Sequence, residues 1–265
     1  FIVAETICSL RTNSTALLAD AGHNFGDVVS LLIAWGANYL LSLPSSTRYS
    51  YGFKKASILA SLVNALLLNA TSTLIAIEAY HQLRNLTPIN TQEVIVVALL
   101  GVGINIGTAA LFWHDAKNDL NIKAAFLHLL SDAALAGGVV ITAGVIYYTN
   151  WLWLDPLMSM MIVGIILYST FKLLVDTIKM LLDATPANIN ENTIQLFLTS
   201  LPGVTAIHDL HIWHLSTQET ALTVHLVAPG RTLADFYAQN VTTYLKNKFN
   251  IQHVTLQIEN TDDYL

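Results

Sequence analysis

The sequence predicts a polytopic α-helical membrane protein: six transmembrane helices followed by a small cytosolic α+β domain of order αββαβ. Three observations carry this prediction. Of the 265 residues, 54% are hydrophobic and only 11% are charged, a composition foreign to ordinary soluble domains. Apolar runs close to the ~20 residues that a bilayer core requires recur as far as residue 178. After Asp183, Thr185 and Pro186 the runs stop and ordinary globular patterning begins.

The runs fall at approximately residues 1–10, 14–41, 56–82, 91–114, 120–148 and 153–178. The first is incomplete. It opens at Phe1 without an initiator Met or a charged leader, and reads as the trimmed or ordered part of a longer protein rather than as a signal peptide. Six spans place both ends on one side. Arg48, Lys54, Lys55, Lys117 and Lys123 lie in or beside the second and fourth connections, whereas the other three hold only Arg11 and Arg84. By the positive-inside rule both termini are cytosolic, and Trp151 and Trp153 anchor the outer interface. Domain one is thus 1–183, with its first helix truncated.

Domain two is 184–265. A helix over 189–200 ends at Pro202-Gly203, strands follow at 204–215 and 221–228, and a helix over 232–247 leads to a strand at 254–259. At about 80 residues this domain lies near the lower limit for a core without staples. Dimerisation or bound metal would help it fold.

Composition also excludes functions. A net charge of −6 without a basic stretch argues against a nucleic-acid partner. Cys8 is the single cysteine, so neither an intrachain disulfide nor a cysteine-rich zinc module exists.

The strongest functional signal is a repeated pair. His23 precedes Asp27 and His128 precedes Asp132, each by four residues, in two apolar runs otherwise poor in charge. Four residues is about one helical turn, so each pair presents a nitrogen and a carboxylate on one face. Both pairs sit near mid-span. Ionisable groups at that depth face a bundle interior, where they pair, bind ions or carry protons. A lone intramembrane histidine is usually a packing residue; two matched pairs are better explained as a metal site. Asp20, one turn before His23, is either an outer-shell residue of that site or a group capped near the outer interface. Asn64, Asn69 and Asn105 are expected to bond across helices.

Two imidazoles and two carboxylates suit Zn²⁺, whose sites are four-coordinate, while Mg²⁺ and Ca²⁺ favour all-oxygen sites and Cu(I) wants sulfur. Co²⁺, Cd²⁺, Mn²⁺ and Fe²⁺ remain open. A filled shell suits carrying an ion; a catalytic zinc keeps an open position for water. Because bound histidine must be neutral, protons and metal compete for it, which supplies a coupling mechanism. The leading expectation is a proton-coupled zinc exporter and not an enzyme. An intramembrane zinc metalloenzyme, with Asp20 as its spare carboxylate, and a membrane-bound metal sensor are the alternatives.

The segments ALLADAGHNFGDVVSLLIAWGA, RYSYGFKKASILASLVNALLL, AAFLHLLSD, LDPLMSMMI and VTAIHDLHIWHLS together resemble the cation diffusion facilitators, and in particular their zinc-selective branch of bacterial zinc and cobalt efflux proteins and vesicular zinc transporters. The resemblance covers essentially the whole chain. It implies a homodimer of six-helix protomers in the lipid bilayer, alternating access, and His23, Asp27, His128 and Asp132 as the transport site. Short connections without a histidine-rich loop lean towards a bacterial inner membrane. Lys55 and Asp183 match a charge interlock, and His208 and His225 match zinc ligands of the cytosolic domain, with Glu259 a further ligand and Gln257 a poor one. His211 and His214 read as ordinary strand residues. Tyr49, Tyr51 and Phe53 stand where relatives can bind an extra ion, so no loop site is expected, and His114 is the only histidine left between the fourth and fifth spans.

Overall fold

A computed structural model of the chain describes residues 1–117, 120–238 and 240–260. Six helices come first: α1 (Ile2–Thr12), α2 (Thr15–Leu41), α3 (Ala56–Arg84), α4 (Thr91–Phe112), α5 (Leu120–Thr149) and α6 (Leu154–Leu181), with a single 3₁₀ turn at Asp115–Lys117 before α5. Among the described residues, α3, α4, α6 and the Ile122–Thr149 part of α5 are long and apolar enough to cross a membrane. α1 is short, with 11 residues. α2 has the length, 27 residues, but Asp20, His23, Asn24 and Asp27 dilute its apolar character. The residues that weaken α2 as a span are the ones that make it informative.

The chain divides into two compact units, Phe1–Leu32 with Asn64–Lys172, and Ile33–Val63 with Leu173–Leu265. In the first, a buried cluster of Ala16, Leu17, Ala19, Val94, Ala98, Val139, Ala143, Ile162, Val163 and Ile166 joins α2, α4, α5 and α6. Small residues let α2 and α3 approach closely. A Cβ added at Gly22 would meet Ile75 Cδ1 at 2.7 Å, and one at Gly26 would collide with Leu68. Ser30 then donates to Asn64 across the same contact at 2.7 Å. Asn69, expected to bond across helices, instead donates to Ala65 O of its own helix at 2.7 Å.

Where α2 begins, every orphan amide of its first turn has a partner. Asp155 Oδ2 on α6 accepts from Thr15 N at 2.7 Å and Ala16 N at 3.2 Å. Ser14 Oγ accepts from Leu17 N at 3.1 Å and donates to Asp155 Oδ1 at 2.6 Å, and Leu18 N reaches Ser14 O. Gln82 on α3 joins through Thr15 Oγ1 and donates to Asn13 O at 2.6 Å. Asp155 is almost fully buried.

The second unit holds the globular domain: α7 (Glu191–Thr199), β1 (Ala206–His214), β2 (Thr220–Val227), α8 (Leu233–Ala238), α9 (Val241–Phe249) and β3 (His253–Glu259). The single helix expected over 232–247 is two, because Asn240 takes a left-handed φ of 55°, a conformation that asparagine tolerates better than most residues. The sheet order is β1-β2-β3, with β1 and β2 antiparallel and β2 and β3 parallel. Leu222, Val224 and Leu226 alternate into a core with Ile194, Leu198, Phe236, Leu245 and Ile251. The α2–α3 loop and the start of α3 dock on the β1–β2 turn: Lys54 pairs with Glu219, and Ser57 Oγ accepts from Thr217 N at 3.1 Å. Lys55 Nζ meets Asp183 Oδ1 at 2.8 Å in the same unit.

Candidate metal centre

Helical geometry turns the two sequence pairs into one cluster. The closest contacts run between the helices rather than along them: His23 Nε2 to Asp132 Oδ1 is 3.4 Å, and His128 Nε2 to Asp27 Oδ2 is 3.3 Å. Along each helix the separations are 3.9 Å for His23–Asp27 and 3.6 Å for His128–Asp132. α2 and α5 therefore pass antiparallel, so the histidine of one sits level with the aspartate of the other. A zinc tetrahedron with bonds of 2.0–2.1 Å has edges of about 3.3–3.4 Å, whereas an octahedron of magnesium-like bonds has edges of about 2.9 Å. The histidine–aspartate separations lie at or somewhat above the tetrahedral value, with Asp132 meeting His23 through Oδ1 and His128 through Oδ2, and His23, Asp27 and Asp132 each place a donor atom within 4.8 Å of the other two.

The two layers differ in access. The His23 and Asp132 side chains are 17% and 6% exposed, while Asp27 and His128 are 33% and 51% exposed. A cavity of about 460 Å³ opens on the second layer, lined by Asn24, Asp27, Asn105, His128 and Asp132 among others. Asn105, read from sequence as a packing amide, thus stands at the mouth of the cluster. Asp132 Oδ1 is buried without a well-aligned hydrogen-bond partner, the condition of a ligand atom. Asp20 makes no ion pair with either histidine among the described residues and is fully buried, facing Glu5 of α1. Neither Glu5 nor Asp155 stood out in the sequence, although a carboxylate inside an apolar run was the very signal that marked Asp27.

A second cluster lies on the open face of the cytosolic sheet. His208 Nε2 is 2.8 Å from Glu259 Oε2, and His225 Nδ1 is 3.0 Å from Glu259 Oε1. The latter contact is out of line for a hydrogen bond, which leaves His225 Nδ1 buried and unsatisfied. Such a nitrogen, aimed at a carboxylate beside a second imidazole, fits a metal ion better than it fits hydrogen bonding alone. His208, His225 and Gln257 stand side by side across the three strands, and Gln257 donates to Glu259 at 2.9 Å. Contact with His208 is the main cause that holds the Glu259 carboxyl below the usual carboxylate range.

A bulge shapes this face. Register shifts between His208 and His211, where Asp209 has φ of 52°. The extra residue reverses side-chain parity, so His208 and His211 share a face that strict alternation would deny them. Asp209 then sits 2.8 Å from His211 and 3.5 Å from His225, and the His211 contact lowers the Asp209 pKa. His214 is apart from the cluster, and burial pushes its imidazole pKa down. His114 is exposed and belongs to neither cluster.

A membrane-embedded helical bundle with a two-histidine, two-carboxylate cluster, joined to a small cytoplasmic domain of order αββααβ, defines a class of metal-handling membrane proteins. Residues 1–182 match the cation efflux transmembrane domain, and residues 186–261 match the cytoplasmic domain of cation efflux proteins. The chain belongs to the cation efflux family, a family of transporters, and the metalloenzyme reading falls with that. Among its relatives, the metal cation efflux system protein CzcD of Cupriavidus metallidurans is 33% identical over 98% of this chain and 82% of its own. A cadmium, cobalt and zinc/H(+)-K(+) antiporter of Bacillus subtilis is 32% identical over 98% and 85%. The zinc transporter ZitB of Escherichia coli is 30% identical over 98% and 83%. The solved metal-bound C-terminal domain of the CzcD transporter is 33% identical over 27% of this chain and 99% of that one, with a TM-score of 0.25.

Proposed function

We propose that this protein exports Zn²⁺ from the cytosol in exchange for protons, holding one ion between His23, Asp27, His128 and Asp132. The observation that carries this reading is the cross-paired cluster, in which each imidazole Nε2 lies 3.3–3.9 Å from both carboxylates, a set of two nitrogen and two oxygen donors of the kind Zn²⁺ takes. The names of the relatives, which include zinc transporters and a zinc/proton-potassium antiporter, support the same substrate and counter-ion. With both termini cytosolic by the positive-inside rule, the Asp27–His128 layer lies towards the cytosol and the Asp155-capped start of α2 towards the outer side.

Zinc enters from the cytosolic side over Asp27 and His128, and His23 and Asp132 complete the shell. Binding removes protons from the imidazoles, and protons arriving from the opposite side eject the ion once the bundle reopens outward. The cytosolic domain, residues 184–265, binds a regulatory zinc through His208, His225 and Glu259, and the chain works as a homodimer in a bacterial inner membrane. The test is zinc flux in proteoliposomes. Asp27→Ala and Asp132→Ala should each abolish transport while dimers persist; wild-type flux in either would remove the cluster from the pathway.

A further inference from the structure

Two buried carboxyl groups lie outside the four-ligand cluster. Glu5 on α1 and Asp20 on α2 are both 0% exposed. Both oxygens of Asp20 and Oε1 of Glu5 are buried without a donor among the described residues, while Asn24 Nδ2 donates to Glu5 Oε2 at 3.1 Å. Asp20 stands one turn before Asn24 on the same face of α2, so the Asn24–Glu5 bond brings the two buried carboxyls to one side of the helix. A carboxylate carries no donor, so the two can bond to each other only when one of them keeps its proton. Two bare carboxylates facing each other without water would cost several kcal/mol, the ordinary penalty for burying unpaired charge. Among the described residues no lysine or arginine pairs with either acid. The other charged groups that act on the pair are His23, on the same helix as Asp20, and Asp132 of α5.

We propose that Glu5 and Asp20 form a shared-proton acid pair that gives up one proton when a divalent cation occupies the His23–Asp27–His128–Asp132 cluster and takes one back when the cation leaves. The inference rests on the exchange reading above and assigns part of the counter-ion to a site that the metal never touches. Electrostatics links the two sites. Asp20 lies one turn from His23, and a dication at the cluster favours the second carboxylate, so the O–H bond of the pair breaks and its proton passes to water. Departure of the metal removes that support, and an incoming proton reforms the O–H···O bond. No electron moves, and the pair alternates between one proton and none.

The test counts protons released by the full chain in detergent as zinc is titrated into weak buffer. Asp20→Asn and Glu5→Gln keep shape and hydrogen-bonding capacity but cannot share an acidic proton, and each should release one proton fewer per zinc than the wild type. Release equal to wild type in both variants would overturn the pair's role while leaving proton exchange intact. A wild type that binds zinc and releases no protons would instead sink the exchange reading together with this one. Infrared difference spectra keep the proposal testable if a variant binds zinc poorly. The zinc-free wild type should show a protonated-carboxyl C=O band at neutral pH that vanishes in either variant; absence of the band in the wild type refutes the pair.

Discussion

Asp155→Ala removes a cap that reaches from one span to the start of another, and its cost follows from the bonds it makes. Thr15 N and Ala16 N both lose their acceptor, and Ser14 Oγ loses the carboxylate that orients it towards Leu17 N. Ser14, Thr15 and Ala16 are at most 5% exposed, so water does not replace the missing oxygen. Each buried donor left unpaired costs about 1–3 kcal/mol, so two stranded amides cost about 2–6 kcal/mol. By the scaling of domains of 150–250 residues, that lowers the melting midpoint on the order of 10 °C. Thermal unfolding of the purified chain in detergent reads the shift directly. Asp155→Asn keeps one acceptor oxygen and should fall between the two. An alanine variant that melts with the wild type would show that α2 does not depend on this cap.

The cytosolic cluster should be countable. The full chain is expected to bind one zinc more per protomer than the His208→Ala, His225→Ala double variant, measured by equilibrium dialysis; equal stoichiometry would place those ligands elsewhere. Acid should weaken the cytosolic domain in two windows. Burial keeps His214 neutral in the fold, so below about 6.5 the unfolded chain binds the extra proton and stability falls with pH. A His214→Leu variant that keeps the same slope would contradict this. The depressed Glu259 and Asp209 carboxyls contribute stability that is full above about pH 4.3 and lost as pH falls through their folded values; Glu259→Gln should flatten the acid limb of a pH–stability curve. Gly26→Leu should separate α2 from α3 at Leu68 and cut zinc flux sharply, whereas flux at wild-type level would show that the close approach is dispensable.

The intramembrane cluster was legible because its signal is local: a four-residue spacing fixes each pair on one helical face, and two equal pairs at equal depth can meet at one point. What the sequence did not reveal is set by contacts between distant segments. That His23 meets Asp132 more closely than its own Asp27 depends on the antiparallel passage of α2 and α5. Glu5 and Asp155 carried the same signal as Asp27, an acid at or within an apolar run. Their roles appear only when α1 lies against Asp20 and α6 against Ser14. On the cytosolic sheet, alternation correctly sent Leu222, Val224 and Leu226 to the core. It failed at Asp209, where one inserted residue reverses parity and no neighbouring glycine announces the bulge. The break at Asn240 was likewise hidden, since an asparagine is tolerated in a helix as well as in the left-handed turn that ends one.

Proton-driven accumulation of zinc is the central claim, and one measurement tests it most directly. Liposomes containing only this protein, loaded with a pH-sensitive dye, are given external zinc with and without an imposed proton gradient, acidic inside. Zinc should accumulate against its own gradient only when the proton gradient is present, and the lumen should become more alkaline in step with uptake. Equal accumulation in both conditions with no proton counterflow would mean that the protein is a uniporter or channel.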